Sequence, residues 1–212
     1  GQRVVSANSA PCLEGFYCRR GVENLCEDLL FNNGAYAEFI RVPGRIVKRN
    51  THVIPDHVRY QDAALIEPLA CVLRGLEETG LRAGDNVAVV GLGPIGLMFV
   101  RLAKVHGARV IAAGRRQSQL DHAEQMGADE LLCSGHSLDA VAEVRHLTGG
   151  YGADAVIEAV GKPQTWEQSV RMVRRGGAVN FFGGCPSDTR VNLETSLLHY
   201  SEITCRASFH HT

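Results

Sequence analysis

The chain has 212 residues, of which 45% are hydrophobic and 21% are charged, and its formal net charge is -1. This balance gives no electrostatic case for nucleic acid or an anionic membrane as a partner, and no apolar run approaches the roughly 20 residues that span a bilayer. The seven cysteines are odd in number, and four of them are scattered among apolar residues. That distribution favours reduced thiols in a cytoplasmic protein over a disulfide framework.

Up to about residue 60 the sequence predicts short β runs separated by turn residues. The runs are RVVSA, AYAEFIRVP and RIVKR, and the turns are marked by Gly34 and by Pro43-Gly44. Glycine and proline are the strongest local breakers of regular structure, so we expect a small, irregular β domain here.

Three cysteines lie within this first part at spacings that resemble those of a zinc site. Cys12, Cys18 and Cys26 are separated by five and seven residues, and a cysteine at Gly15 would complete C-x2-C-x2-C-x7-C. A closed structural zinc site needs four ligands because Zn²⁺ is bound tetrahedrally. Three thiolates with water or Glu14 would hold zinc less tightly, and an empty site is the other possibility.

After residue 60 the pattern changes to alternating strands and helices. The predicted strands are Asn86–Val90, Arg109–Ala113, Glu130–Cys133, Ala155–Glu158, Ala178–Phe182 and Ile203–Ala207, and the predicted helices are Ile95–Val105, Ser118–Met126, Leu138–Leu147 and Trp166–Val173. Regular alternation of this kind predicts an α/β fold with a parallel sheet covered by helices on both faces. Six strands are the full count of a doubly wound dinucleotide-binding (Rossmann) fold.

A glycine motif at the first of these strands predicts a phosphate site. The segment NVAVVGLGPIGLMFV places G-x-G-x-x-G at Gly91, Gly93 and Gly96, with Pro94 and Ile95 opening the helix. The glycines allow a tight turn, a close approach of the pyrophosphate and close helix packing, while the helix N-terminus offers amide donors. The alternative is a glycine-rich turn that binds nothing, but the strand, helix and second strand all have the expected context.

The end of the second strand indicates which nicotinamide is bound. NAD sites normally carry an acidic residue there, whereas this chain has Gly114, Arg115 and Arg116. A glycine leaves room for a 2′-phosphate, and a guanidinium can bind it with two charge-assisted hydrogen bonds. The pattern therefore favours NADP, with NAD as the alternative, although two arginines at a helix start can also be solvated surface charge.

These motifs together resemble the zinc-dependent medium-chain alcohol and polyol dehydrogenases, most closely the sorbitol and threonine dehydrogenase-like branch. The resemblance is carried by GQRVV, the cysteine segment, GAYAEFIRVP, ALIEPLACVL, GLGPIG, GADAVIEAVG, RRGGAVNFFGG and SFHH. It implies that residues 1–62 are part of a GroES-like catalytic domain and residues 63–212 a nucleotide-binding Rossmann domain. By resemblance, Cys12, Cys18 and Cys26 match three of the four structural zinc ligands, with Gly15 at the place of the other.

The resemblance also assigns catalytic and cofactor residues. Glu67, within ALIEPLACVL, stands where polyol dehydrogenases place a carboxylate that binds the catalytic zinc or its water. A plainer interpretation is that Glu67 caps the helix that follows it. The family positions around the cofactor correspond to Val160, Gly161, Phe182, Gly183 and Gly184, and His210 and His211 resemble positions that face the nicotinamide.

The activity implied by the resemblance is hydride transfer between NADP, or NAD, and a secondary alcohol or polyol or the matching ketone, at a catalytic zinc. The family's cysteine and histidine zinc ligands and its closing segment are not in the chain, so we expect a fragment that is inactive alone. The edge strand ITCRASF predicts a homodimer, or a homotetramer as in the polyol branch. The alternative is an NADPH-binding module without zinc, similar to the quinone reductases.

Overall fold

The computed structural model describes residues 1–134 and 139–211, and contact clustering divides the chain into two compact units. One unit comprises Gly1–Cys71 together with the residues from Phe209 onward, and the other comprises Val72–Ser208. The domain border after residue 62 stays a prediction. No helix in the described part of the chain is long and apolar enough to cross a membrane.

The first unit is built from short elements. Strand β1 (Val4–Ser6) pairs antiparallel with β4 (Thr51–Val53), and β2 (Ser9–Ala10) pairs antiparallel with β3 (Leu30–Phe31). The helices are α1 (Gly44–Asn50), α2 (Tyr60–Ala63) and α3 (Ile66–Glu77), the last of which contains the border between the units. The predicted run RVVSA is thereby confirmed as β1.

Two of the predicted β runs are wrong. RIVKR lies within α1, where the Val47 amide donates to the Pro43 carbonyl at 3.0 Å and Ile46 is buried. A single buried apolar residue suits one face of a short helix, and the cations Lys48 and Arg49 stand in its last turn, where the helix dipole favours them.

The run AYAEFIRVP forms no strand in the described structure. Its aromatic residues Tyr36 and Phe39 are almost fully exposed. A strand is stabilised by cross-strand pairs, and this run has no partner strand among the described residues. The β propensity of its aromatic and branched residues is therefore not sufficient to form one.

The second unit is a six-stranded, fully parallel sheet, as predicted. Its order is β10-β9-β8-β5-β6-β7, with strands β5 (Asn86–Val90), β6 (Arg109–Gly114), β7 (Glu130–Cys133), β8 (Ala153–Glu158), β9 (Val173–Phe181) and β10 (Thr204–Ala207). The helices are α4 (Pro94–Val105), α5 (Gln117–Gln125), α6 (Ala140–Leu147), α7 (Pro163–Met172) and α8 (Thr195–Tyr200). The predicted start of α6 at Leu138 lies outside the described residues, and α8 was not predicted.

Two buried layers flank this sheet because successive strand side chains point to opposite faces. In β5, Val87 and Val89 join the layer under α3, α4 and α5, while Ala88 and Val90 join the layer under α6 and α7. The chain order reverses beside β5, whose neighbours are β6 and β8. This switch point creates a crevice at the carboxyl ends of the strands, where ligands bind in open α/β sheets.

Candidate functional site

A groove of about 370 Å³ lies at the carboxyl ends of β5, β6 and β8. It is lined by the glycine turn after β5, the end of β6 and the loop that leads from β8 into α7. The lining residues are Val90, Gly91, Leu92, Gly93, Ala113, Gly114, Arg115, Gln119, Ser134, Ala140, Ala159, Val160, Lys162, Thr165, Gln168 and Met172. Gly91 and Gly93 of the predicted phosphate motif thus line one groove with Gly114 and Arg115 of the predicted cofactor-selecting residues, whereas Gly96 and Arg116 do not line it.

The three motif glycines have different structural roles. Gly91 has a φ of 98°, and its amide donates to the Ala113 carbonyl at 2.9 Å, which fixes the turn between β5 and the helix. A Cβ at Gly96 would collide with the Gly91 carbonyl oxygen, so helix α4 packs directly on this turn. A Cβ at Gly93 would meet no heavy atom within 4 Å, so the backbone there is open to a ligand. Gly93 is also the N-cap of α4, whose first amides have no side-chain cap.

The end of β6 has no acidic side chain, and the structure gives a reason for the glycine. A Cβ at Gly114 would lie 2.8 Å from Cδ1 of Leu92, so a carboxylate there would displace that buried leucine. Arg115 lines the groove with an exposed side chain, and Arg116 is the N-cap residue of α5.

The loop after β8 is organised by Glu158, which has no exposed surface. Its Oε1 accepts hydrogen bonds from the amides of Val160 and Gly161, each at 3.0 Å, and from Thr165 Oγ1 at 2.6 Å. Burial raises the pKa of this carboxyl, although the hydrogen bonds act in the opposite direction. Glu158 therefore holds the Val160–Gly161 turn at the rim of the groove from beneath.

The loop after β9 packs against the loop after β8. A Cβ at Gly161 would lie 2.5 Å from the Gly184 carbonyl oxygen, and one at Gly183 would lie 2.8 Å from Glu158 Oε2. Trp166 Nε1 donates to the Gly183 carbonyl at 2.9 Å. The two loops are therefore in close backbone contact, which only glycines allow.

Phe182, which the resemblance assigned to the cofactor, packs into the buried layer of the second unit. Its ring contacts Phe99 edge-to-face with centroids 4.9 Å apart. A Cβ at Gly75 on α3 would lie 2.9 Å from Phe182 Cδ2, so this side chain also fits closely against the helix. The cofactor role of Phe182 stays a prediction.

The three predicted zinc-site cysteines do come together in the first unit. Their sulfurs lie within 4.8 Å of one another, and Cys18 and Cys26 are buried. Hydrogen bonds from the backbone amides of Glu14 and Gly15 lower the pKa of Cys12 to about 7, whereas burial raises the pKa of Cys18. The cluster therefore places three soft ligands close together.

A second group of possible metal ligands, also in the first unit, was not predicted as a group. Ligand atoms of Glu67, His210 and His211 lie within 4.8 Å of one another, with Glu67 Oε1 3.8 Å from His211 Nε2. The Cys71 thiol donates to Glu67 Oε1 at 3.4 Å. A small cavity of about 120 Å³ adjoins Glu67 and His211 and is also lined by His52. Glu67 is the second residue of α3, in the first turn, where the helix dipole favours an acidic side chain; its interpretation as a helix cap stays a prediction.

The comparison with known sequences decides the family. The pattern of the zinc-binding dehydrogenases matches residues 94–212, which is more than half of the chain. The chain belongs to the zinc-binding dehydrogenase family. The resemblance predicted from the motifs is therefore confirmed.

Individual relatives of the chain agree with this family assignment. The chain is 32% identical to a sorbitol dehydrogenase from Bacillus subtilis over 96% of its length, which is 58% of that protein. It is 36% identical to an erythritol/L-threitol dehydrogenase from Mycolicibacterium smegmatis over 91% of its length, 54% of that protein. The chain thus spans little more than half the length of these curated relatives.

Solved structures of zinc-binding dehydrogenases share the fold. A zinc-binding dehydrogenase structure from Sinorhizobium meliloti, solved bound to NADP, superposes with a TM-score of 0.92 at 31% identity, covering 100% of this chain and 62% of that one. An alcohol dehydrogenase from Thermus sp. ATN1 gives a TM-score of 0.88 at 32% identity, covering 99% of this chain and 64% of that one. These likenesses confirm the predicted α/β fold with its parallel six-stranded sheet.

Sequence reasoning missed several residues of the groove and of the Glu67 group. Lys162 and Thr165 line the groove, and the signal for them was the sequence VGKPQT, in which polar residues follow a strand end and open a helix. The signal for Glu158 was a lone acid at the end of an apolar strand. No local signal joins Glu67 to His210 and His211, because they are distant in the chain.

Proposed function

We propose that this protein transfers hydride between NADP and a secondary alcohol or polyol, or the corresponding ketone, with the help of zinc. The observation that carries the proposal is the groove at the strand ends, which combines an open Gly93, a helix N-terminus and Arg115 with no carboxylate at Gly114. The relatives named for sorbitol and erythritol, and the NADP in the Sinorhizobium meliloti structure, support the substrate class and the cofactor.

The groove fits a dinucleotide because its groups match the parts of that molecule. The uncapped amides at the start of α4 would bind the pyrophosphate, and Gly93 leaves the space that the pyrophosphate needs. Arg115 would pair with the 2′-phosphate in a charge-assisted contact. When bound, the nicotinamide supplies the hydride chemistry, and the chain contributes binding and orientation.

Cofactor preference tests this assignment. The chain should bind NADPH more tightly than NADH, and the double change Arg115→Ala, Arg116→Ala should narrow that difference by about 1–3 kcal/mol, because charge-assisted hydrogen bonds to the 2′-phosphate are lost. Calorimetric titration of both cofactors measures the difference. Arg101→Ala, which removes an exposed arginine from α4, is the matched control and should leave the difference unchanged. Equal or tighter binding of NADH by the unaltered chain would contradict the proposal.

For the catalytic metal, the donor set of the first unit fits zinc. We propose that Glu67, together with His210 and His211, is a ligand of this zinc. One carboxylate and two imidazoles are a ligand set that catalytic zinc sites use. Three protein ligands leave a position open for substrate. When bound there, zinc supplies Lewis-acid polarisation of the substrate oxygen. The residues of the chain hold and orient the site.

Replacing Glu67 tests the metal assignment with two readouts. In protein that turns over substrate, Glu67→Ala should reduce turnover more than about 100-fold. Losing even a residue that only hydrogen-bonds to a metal ligand lowers metal affinity or activity by about 10–100-fold. The visible absorption of bound Co²⁺, used in place of zinc, should be lost or changed, while NADPH affinity stays the same. Glu77→Ala, on an exposed position of the same helix, should change neither readout. Unchanged Co²⁺ absorption in the Glu67 variant would refute the role of Glu67 as a ligand.

We also propose that the protein assembles as a homodimer or homotetramer through β10. This strand is at the edge of the sheet, and all four of its residues are exposed. Exposed edge strands offer unpaired backbone groups to a second chain, and a two-fold axis would join two copies of the edge. A monomeric mass in light scattering at micromolar concentration would contradict this assembly.

A further inference from the structure

The cysteine cluster of the first unit has a geometry that suits three sulfur ligands. The sulfur of Cys12 lies 3.5 Å from that of Cys26 and 3.9 Å from that of Cys18. Two short 3-10 turns, Cys18–Arg20 and Glu23–Leu25, lie beside the cysteines and order this part of the chain. The three sulfurs therefore lie close enough to one another to bind a single ion.

Backbone amides are also directed at these sulfurs. The amides of Gly15 and Glu14 donate to Cys12 Sγ at 3.3 and 3.5 Å, and the Cys12 amide donates to Cys26 Sγ at 3.3 Å. Hydrogen bonds to the charged form of a group favour that form, so the amides of Gly15 and Glu14 favour the thiolate of Cys12. Metal sites use the same kind of second-layer hydrogen bond to orient and tune their ligands.

The fourth corner of a tetrahedral cage is missing. A Cβ at Gly15 would lie 3.4 Å from Cys12 Sγ, so the position beside the sulfurs is available but carries no side chain. Among the described residues, the three sulfurs form a ligand group without a carboxylate or imidazole. Closed structural zinc sites use four protein ligands, so the donor set does not fit the structural zinc of the family.

We propose that Cys12, Cys18 and Cys26 form a binding site for a thiophilic ion that is satisfied by three sulfur ligands, such as Cu(I) or trivalent arsenic, rather than for zinc. Soft thiolates select soft ions, and Cu(I) is stable with three of them. Arsenous acid would exchange its three As–O bonds for three As–S bonds, the thiol protons leaving in three water molecules with no change of oxidation state. This proposal does not depend on the dehydrogenase activity.

The test uses the reduced, metal-free chain under anaerobic conditions. Arsenous acid should be retained at one arsenic per chain in intact-mass measurement, and three of the seven thiols should become unreactive towards a thiol reagent. In a separate arm, Cu(I) should be held at one ion per chain against a competing Cu(I) chelator. Retention of Cu(I) but not arsenic would identify Cu(I) as the ion that the site selects, and the reverse result would identify a trivalent ion. Failure to retain either ion overturns the proposal.

Variants separate the cluster from the other thiols. Cys18→Ser and Cys12→Ser should each abolish arsenic retention, while Cys133→Ser, which removes an exposed thiol outside the cluster, should retain it. Because Cys18 is buried, circular dichroism checks that the Cys18→Ser variant is folded. Cys12 is only half-buried, so Cys12→Ser provides a second variant that is less disruptive to the fold. Arsenic retention by both folded cluster variants contradicts the assignment.

Restoring the fourth ligand tests selectivity. Gly15→Cys should raise zinc affinity by more than about tenfold, because a closed four-thiolate site couples its binding energy to the fold. It should also raise the thermal midpoint in the presence of zinc. If the unaltered chain binds zinc as tightly as the Gly15→Cys variant, three cysteines with a substitute ligand suffice for zinc, and the inferred selectivity is wrong.

Discussion

A Gly96→Ala variant should lose about 3 kcal/mol of unfolding free energy and bind NADPH at least about tenfold more weakly, because its new methyl group would overlap the Gly91 carbonyl oxygen. This loss lies at the upper end of the usual cost of overpacking a core, because the atom that must move belongs to the backbone of the turn between β5 and α4. A backbone atom cannot move aside as easily as a side chain. Urea unfolding measures the stability, and cofactor titration measures the affinity.

Gly93→Ala is the matched control for this prediction. Its methyl group would meet no protein atom within 4 Å, and its φ of -73° is accessible to alanine. Stability should therefore stay within about 0.5 kcal/mol of the parent, while NADPH binding weakens because the methyl group enters the space for the pyrophosphate. If both glycine variants lost affinity and stability in the same proportion, the assignment of Gly93 to the ligand and Gly96 to packing would be wrong.

Replacing Glu158 by alanine should destabilise the protein by about 3 kcal/mol or more, because three hydrogen-bond donors would lose their buried acceptor. The donors are the amides of Val160 and Gly161 and the hydroxyl of Thr165. Cofactor affinity should fall as well, since Val160 and Thr165 line the groove. Glu158→Gln keeps the shape and one acceptor oxygen, so it should cost clearly less than the alanine variant. An alanine variant as stable as the parent would show that the carboxylate does not organise the loop.

The same carboxyl gives a pH dependence whose sign follows from its burial. Because the pKa of Glu158 in the folded chain is raised above its ordinary value of 4.5, the folded state binds the proton more tightly than the unfolded state. Stability from this group is therefore fully present below the ordinary value and decreases as the pH rises from there through the raised pKa. Urea unfolding at about pH 4 and about pH 8 measures how far the free energy of unfolding falls between the two pH values, and this fall should be smaller in Glu158→Gln than in the parent. An equal fall in both proteins would show that other groups cause the pH dependence.

The parts of the site that the sequence could predict are those built from consecutive residues. The glycine turn at Gly91 was predictable because strand, turn and helix follow one another in the sequence, and the spacing of the glycines is typical of this kind of turn. Helix α1 was not predictable, because RIVKR has strand propensity. The helix is favoured by the burial of Ile46 against the rest of its unit, which the local sequence does not show. The grouping of Glu67 with His210 and His211 depends on contacts between residues more than 140 positions apart, which no local pattern encodes.

The close contact between the loops after β8 and β9 has a consequence for how a cofactor is received. The Gly183 amide donates to the Glu158 carbonyl at 2.8 Å, the indole of Trp166 holds the Gly183 carbonyl, and the backbones at Gly161 and Gly184 meet directly. Segments tied in this way lose little conformational freedom when a molecule settles on them. Preorganisation of this kind strengthens binding by removing an ordering cost rather than by adding a contact. The loop after β8, whose Val160 lines the groove, is thus held by the neighbouring loop before a ligand binds.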